Sequence, residues 1–161
     1  KLASGFCQVQ KLLDGGINVA LGTDGTASNN DLDMFGEMRT AALIGKAVQD
    51  DASAMPAHSV LKMATLNGAR ALGMADSVGS VETGKWADLT AIDLGPVETQ
   101  PVYDPVSALV YSAGREQVSD VWVAGQQVLK QRQLVHLDID ELLTRVHGWQ
   151  TRIARGDHSK S

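Results

Sequence analysis

The sequence predicts an α/β fold that passes into a small antiparallel β unit and ends on a helix. Three observations carry this: a compact apolar run at residues 17–22 between two helical patterns, a change of period after Gly79, and an amphipathic stretch at 138–155. Val9, Leu12 and Leu13 stand at helical spacing ahead of Gly15-Gly16, a pair able to close a helix because glycine enters the left-handed region freely. Ile17-Asn18-Val19-Ala20-Leu21-Gly22 then has the pattern of a strand buried on both faces, as parallel sheets produce. Residues 23–30 are small and polar, a loop, and Leu32, Phe35, Met38 and Ala42 mark one face of the next helix. Asn29 or Asn30 is the expected N-cap, with Asp31 and Asp33 at the positive end of the helix dipole.

From Pro56 a helical stretch carries Val60, Leu61 and Ala64, interrupted by Asn67-Gly68 and finished by a turn closed on Gly73. Residues 79–85 are turn-rich, and 87–93 alternate apolar and polar as a half-buried strand does. Residues 120–125 and 127–129 read as two short strands about a glycine turn, with Leu134-Val135 extending the sheet and a short helix after Asp104-Pro105. At the end, Leu142, Leu143, Val146, Trp149 and Ile153 share a helix face behind Asp138, Asp140 and Glu141, followed by a polar tail.

Composition bounds the function. The 161 residues carry 14 basic and 19 acidic side chains, a net charge of −5, with no Lys/Arg cluster longer than a pair. Phosphate binding needs concentrated positive charge, so a nucleic-acid surface is set aside. A hydrophobic share of 43% supports a core. Cys7 is the single cysteine, which excludes an intrachain disulfide and a thiolate zinc cluster and fits a reducing, cytoplasmic setting. No apolar run approaches the roughly 20 residues of a membrane span. The abrupt opening on Lys1 reads as part of a longer polypeptide.

The residues best placed for chemistry are Gly22-Thr23-Asp24-Gly25, at the C-terminal end of the expected strand, where parallel α/β architectures place their functional groups. A carboxylate there can bind a metal, accept a proton or hydrogen-bond a ligand, and its glycine neighbours allow close approach. The same residues also suit a plain turn with capping side chains. His58, His136, His147 and His158 form no local metal motif and read as surface or packing residues, as do Trp86, Trp122 and Trp149. Cys7 reads as a small packed side chain.

Taken in order, Lys1-Leu2-Ala3-Ser4-Gly5, Gly22-Thr23-Asp24-Gly25 with Ser28-Asn29-Asn30 and Leu32-Asp33-Met34, Ala64-Thr65 with Asn67-Gly68-Ala69-Arg70-Ala71-Leu72-Gly73, Gly84-Lys85 with Ala87-Asp88-Leu89, and Val121-Trp122-Val123 with Gly125 resemble the C-terminal part of the amidohydrolase superfamily. Within it the chain is similar to the TRZ/ATZ hydrolases, in particular their 5′-methylthioadenosine/S-adenosylhomocysteine deaminase branch. The resemblance implies a (β/α)₈ barrel joined to a small β-sandwich, with one divalent metal, usually zinc, at the barrel mouth. It divides the chain into the last barrel strand with flanking helices (1–75), the C-terminal part of the sandwich (76–136), and a closing helix with its tail (137–161).

By the same resemblance Asp24 ends the last strand, serves as a metal ligand and takes a proton from the attacking water, which adds to an aminopurine carbon as ammonia leaves. Ser28 and Asn29 would line the mouth and contact substrate. The family's histidine ligands and proton-shuttling glutamate lie on earlier strands, and one carboxylate cannot replace the three protein ligands of a catalytic zinc. The 161 residues alone are therefore expected to be inactive, and the complete enzyme to act on a small aminopurine as a homo-oligomer. The competing expectations are a triazine or pterin hydrolase of the same superfamily, and a non-catalytic stand-alone or interaction module.

Overall fold

The computed structural model describes residues 3–156, so Lys1 and Leu2 of the first motif and His158 of the tail lie outside the described residues. The helical half forms around methionines. Helix α1 (Val9–Asp14) closes at Gly15, whose N–H returns to the Lys11 carbonyl at 3.1 Å. Helix α2 (Met34–Gln49) buries Met38 and Ala42. Its N-cap is Asp33, which accepts from Phe35 N–H at 3.0 Å, rather than Asn29 or Asn30. Asp33 has the extended backbone that a cap requires, whereas the Asn29 side chain is engaged elsewhere in the loop.

Helices α3 (Ala57–Ala64) and α4 (Leu66–Ala71) are separated at Thr65, whose backbone leaves the helical region and whose hydroxyl donates to the Leu61 carbonyl at 2.7 Å. Asn67 and Gly68, expected to interrupt the helix, instead lie within α4. Gly73, at φ +69°, ends it, while Met74 N–H returns to the Ala69 carbonyl at 2.8 Å. Helix α5 (Pro105–Tyr111) is capped by Asp104, which accepts from Val106 and Ser107 N–H. Met38, Ala42, Met55, Ala57, Val60, Met63 and Val110 make the core, and each fully buried aliphatic side chain contributes roughly 1.5–3 kcal/mol.

The expected strand at 17–22 pairs with no other strand among the described residues. Val19 and Leu21 pack on the core, whereas Asn18, Ala20 and Gly22, on the alternate face, are exposed, so one face is covered and not both. The run is held by the helices instead: Leu21 N–H donates to the Met63 carbonyl at 2.9 Å, Asn67 Nδ2 to the Val19 carbonyl at 3.0 Å, and Asn18 Nδ2 to the Asn67 carbonyl at 3.0 Å. The physical reason is that a parallel strand needs neighbours, and none of the described strands lies beside this run.

The second half is an antiparallel meander in the order β1 (Leu89–Ile92), β2 (Val118–Val123), β3 (Gln126–Lys130) and β4 (Gln133–Leu134). Leu89 faces Trp122 across the first pair, and Val121 faces Leu129 across the second. Ala124 and Gly125, both at positive φ, make the two-residue hairpin turn. Asp88 steadies it by accepting from Ala124 N–H at 2.6 Å. Among the contacts that join the halves, Arg39 of α2 donates to the Ala113 carbonyl at 2.7 Å, and Arg115 pairs with Asp31 at 2.6 Å.

Helix α6 (Ile139–Ala154) starts on the Asp138 cap, which accepts from Asp140 and Glu141 N–H. Its apolar face of Leu142, Leu143, Val146, Trp149 and Ile153 is exposed. Trp86 is likewise exposed, and Trp149 carries the Arg152 guanidinium 4.4 Å above its ring, so neither tryptophan is the packed residue expected. Cys7 is also exposed rather than packed, because it precedes α1 on a stretch outside the core. No helix among the described residues is long and apolar enough to cross a membrane.

Candidate active site

The apolar run delivers Asp24 to the head of a short polar loop. Once Leu21 is fixed to the Met63 carbonyl, the chain leaves the helices at Gly22 and turns sharply at Asp24, which adopts φ +59°. Aspartate tolerates this left-handed conformation better than most residues because its short carboxylate can bond the local backbone. Asp24 Oδ1 accepts from Gly25 N–H at 2.7 Å. The Gly25 carbonyl in turn accepts from Ser28 N–H at 3.0 Å, Asn29 N–H at 2.9 Å and the Ser28 hydroxyl at 3.0 Å. The result is one closed turn with an exposed carboxylate at its head.

The Ser28 hydroxyl, followed by Gly25 N–H, holds the Asp24 carboxyl below the ordinary carboxylate range, against a smaller opposing effect of burial. The hydroxyl has one proton to give, shared between the Gly25 carbonyl and the carboxylate, whereas the Gly25 N–H is committed. Asp24 is thus an anion at neutral pH. A hard, exposed carboxylate oxygen is a suitable ligand for a divalent cation such as zinc. It can be only one member of a ligand set, since no group of three His, Cys, Asp or Glu able to hold a metal occurs among the described residues. His58, His136 and His147 are exposed, and none belongs to a group of three potential metal ligands among the described residues.

Asn29 is half-buried, and its amide is engaged within the chain. Nδ2 donates to the Thr23 carbonyl at 3.0 Å and to Glu37 Oε1 at 2.7 Å, while Oδ1 accepts from Asp31 N–H at 3.1 Å. Both amide protons are used, so its remaining capacity toward a ligand is one lone pair. Glu37 and Arg115 were not singled out from the sequence. Arg115 clasps Asp31 through two nitrogens, at 2.6 and 2.9 Å, and approaches Asp33 at 3.9 Å. The signal for Glu37 was faint: a carboxylate in the first turn of a helix is ordinary dipole chemistry, and nothing in its spacing points back to Asn29.

Residues 1–128 match the amidohydrolase family. The chain is 52% identical over 95% of its length to a 5-methylthioadenosine/S-adenosylhomocysteine deaminase of Teredinibacter turnerae. It is 45% identical over 99% of its length to the protein of that name from Caldanaerobacter subterraneus subsp. tengcongensis. It spans only 35% and 37% of those relatives. A solved adenosine deaminase from Xanthomonas campestris with bound zinc superposes with a TM-score of 0.94 at 53% identity, over 96% of this chain and 35% of that one. Atrazine chlorohydrolase from Arthrobacter aurescens, complexed with zinc, superposes at 0.83 with 30% identity, over 89% of this chain and 32% of that one. The architecture is accordingly that of a C-terminal portion of the barrel-type fold, and among the described residues no strand flanks residues 17–22. The chain belongs to the amidohydrolase family.

Proposed function

We propose that this chain is the C-terminal part of a metal-dependent aminohydrolase that deaminates an aminopurine nucleoside, such as 5′-methylthioadenosine or S-adenosylhomocysteine, with release of ammonia. The observation that carries the reading is identity of 52%, 50% and 45% to three deaminases of that name over nearly the whole chain. Asp24 is the residue of this chain that touches the reacting atoms. It is anionic at neutral pH, exposed, and seated at the end of the run that would be the last barrel strand.

Residues 1–75 would supply that strand and its helices, 76–136 part of the sandwich, and 137–161 the closing helix and tail. Bound zinc would supply Lewis acidity and an activated water. Asp24 would contribute one ligand oxygen and receive the proton of the attacking water, its other oxygen remaining tied to Gly25 N–H. Ser28, whose hydroxyl adjoins the carboxylate, would contact the substrate, and Asn29 would line the same mouth. The working form is read as a cytoplasmic homo-oligomer.

The test is turnover by the complete polypeptide, loaded with zinc, on 5′-methylthioadenosine and S-adenosylhomocysteine, read as ammonia release and the absorbance change from adenine to hypoxanthine. The 161 residues alone are expected to show neither turnover nor retention of zinc through gel filtration. Absence of both substrates' turnover in the complete protein, or turnover by the 161 residues, overturns the reading. A second reading, triazine hydrolysis, is favoured by the superposition on atrazine chlorohydrolase. Faster turnover of a chlorotriazine than of either nucleoside would select it.

A further inference from the structure

The Thr23–Asn29–Glu37 chain of hydrogen bonds stands behind Asp24 without including it. Thr23 is the residue immediately before the left-handed aspartate, so the direction of its carbonyl fixes the peptide plane on which Asp24 is mounted. Asn29 grips that carbonyl from six residues downstream at 3.0 Å, and Glu37 holds the same amide group at 2.7 Å from the first turn of α2. An asparagine in a loop could turn its amide to solvent. Glu37 prevents this, because it accepts the second amide proton from a helix that is itself packed into the core through Met38 and Ala42. The link is charge-assisted and half-buried, which makes it stronger than a neutral surface contact.

We propose that Glu37 and Asn29 are positioning residues for Asp24: the helix-borne Glu37 orients the Asn29 amide, and Asn29 fixes the Thr23 carbonyl that sets the carboxylate's direction. This deepens the aminohydrolase reading and rests on it for the role of Asp24. It also accounts for Asn29 differently from a substrate contact, since both its protons face the protein. The far end of the loop is held separately, by Arg115 on Asp31, so removal of Glu37 should loosen the part nearest Asp24 while the rest stays in place.

The experiment uses the complete zinc-loaded polypeptide with Glu37→Ala, Glu37→Gln and Asn29→Ala, and Asp104→Ala as a control that weakens a helix cap on α5. Three quantities are read: zinc affinity by chelator competition, exchange of the Gly25, Ser28 and Asn29 amides in the metal-free protein, and kcat against KM. Glu37→Ala and Asn29→Ala should each weaken zinc and lower kcat by about 10–100-fold, the range found for partners that orient a metal ligand, with KM within about twofold. The same amides should exchange at least about tenfold faster, as their closed turn loses its support. Glu37→Gln keeps an acceptor oxygen and should recover all three to within about threefold of the parent, while Asp104→Ala should leave them unchanged. Parent-like zinc affinity and exchange in Glu37→Ala, or a Glu37→Gln as impaired as Glu37→Ala, overturns the proposal. If the parent itself holds no zinc, the aminohydrolase reading fails, and the exchange measurement still decides whether Glu37 fixes the turn.

Discussion

Gly79 marks the point where the chain leaves the helices for the β meander, and replacing it with alanine should be among the most damaging small changes in the molecule. Its φ is +93°, and a Cβ built there would lie 2.7 Å from Ala69 Cβ and 3.0 Å from Leu66 Cα. Neither neighbour can give way, since one is a methyl on the buried side of α4 and the other is its backbone. The conformational cost of an L-residue at such a φ is about 1–2 kcal/mol. Overpacking against fixed atoms adds about 1–3 kcal/mol, for a total of roughly 2–5 kcal/mol. Gly73 provides the internal control: its φ is +69° and its Cβ position is open to 4 Å, so Gly73→Ala carries only the conformational part. Urea denaturation of the two variants side by side, followed by far-ultraviolet circular dichroism, should show Gly79→Ala less stable than Gly73→Ala by about 1–3 kcal/mol. Equal losses would refute the steric half of the reasoning, and would mean that the segment after Ser77 slides off α4 without penalty.

Three further outcomes are expected. Asp24→Asn in the complete enzyme should lower kcat/KM by about 10²–10⁴-fold, the usual contribution of a positioned proton acceptor, with the cooperative fold retained; retained turnover would remove Asp24 from the chemistry. Asp33→Ala deletes the α2 cap and should cost about 1 kcal/mol in denaturation, while Asp33→Asn, which can still accept from Phe35 N–H, should keep most of it. Asp24, Asp51, Glu82 and Asp104 are all held below their ordinary carboxyl values, chiefly by serine hydroxyls at positions 28, 53, 80 and 107. A carboxyl depressed in the folded state stabilises it fully above the unfolded value and loses that effect as pH falls through the folded one. The urea midpoint should therefore be level from neutrality to about pH 5 and decline below it; a midpoint that rises on acidification would contradict all four.

The helices were legible because they rest on local signals. Gly15 after Leu12 and Leu13, Asp104 before Pro105 and Asp138 before an acidic first turn each act within one turn of chain, and each ends or starts a helix where it stands. The hairpin was legible through Gly125, which takes a positive φ freely, whereas Ala124 adopts its positive φ against the preference of an L-residue. What escaped was decided at longer range. Asparagine is as good a cap as aspartate, and Asp33 serves because its extended backbone lies directly before Met34, while the Asn29 side chain is drawn to Thr23 and Glu37. Asn67-Gly68 looked like a break, but Asn67 donates to the Val19 carbonyl 48 residues earlier, and that contact fits a helical backbone. Within the site, Asp24 stood out by type and place, whereas Glu37 acts through a partner eight residues away across a helix start, where no periodicity operates.

The geometry also separates what this segment brings to the site from what it must be given. The left-handed backbone at Asp24, its bond to Gly25 N–H and the adjoining Ser28 hydroxyl are made within five residues, and the Asn29 and Glu37 side chains that support them belong to the same segment, so the carboxylate is anionic and directed before any other part of a barrel is present. The run that carries it is in the opposite condition. Among the described residues, 17–22 have no ladder partner, and an extended apolar segment with open edges is stable only when neighbouring strands satisfy its backbone groups. Asn18 and Asn67 hold the run to α4, and Leu21 N–H holds it to α3, which keeps Val19 and Leu21 on the core while leaving Ile17 exposed. On the proposed reading, barrel closure therefore does not create the Asp24 ligand but brings the remaining ligands to one that is already formed. Loss of zinc in a variant with an intact turn would then trace to the strand edges, and loss with a loosened turn to Asn29 and Glu37.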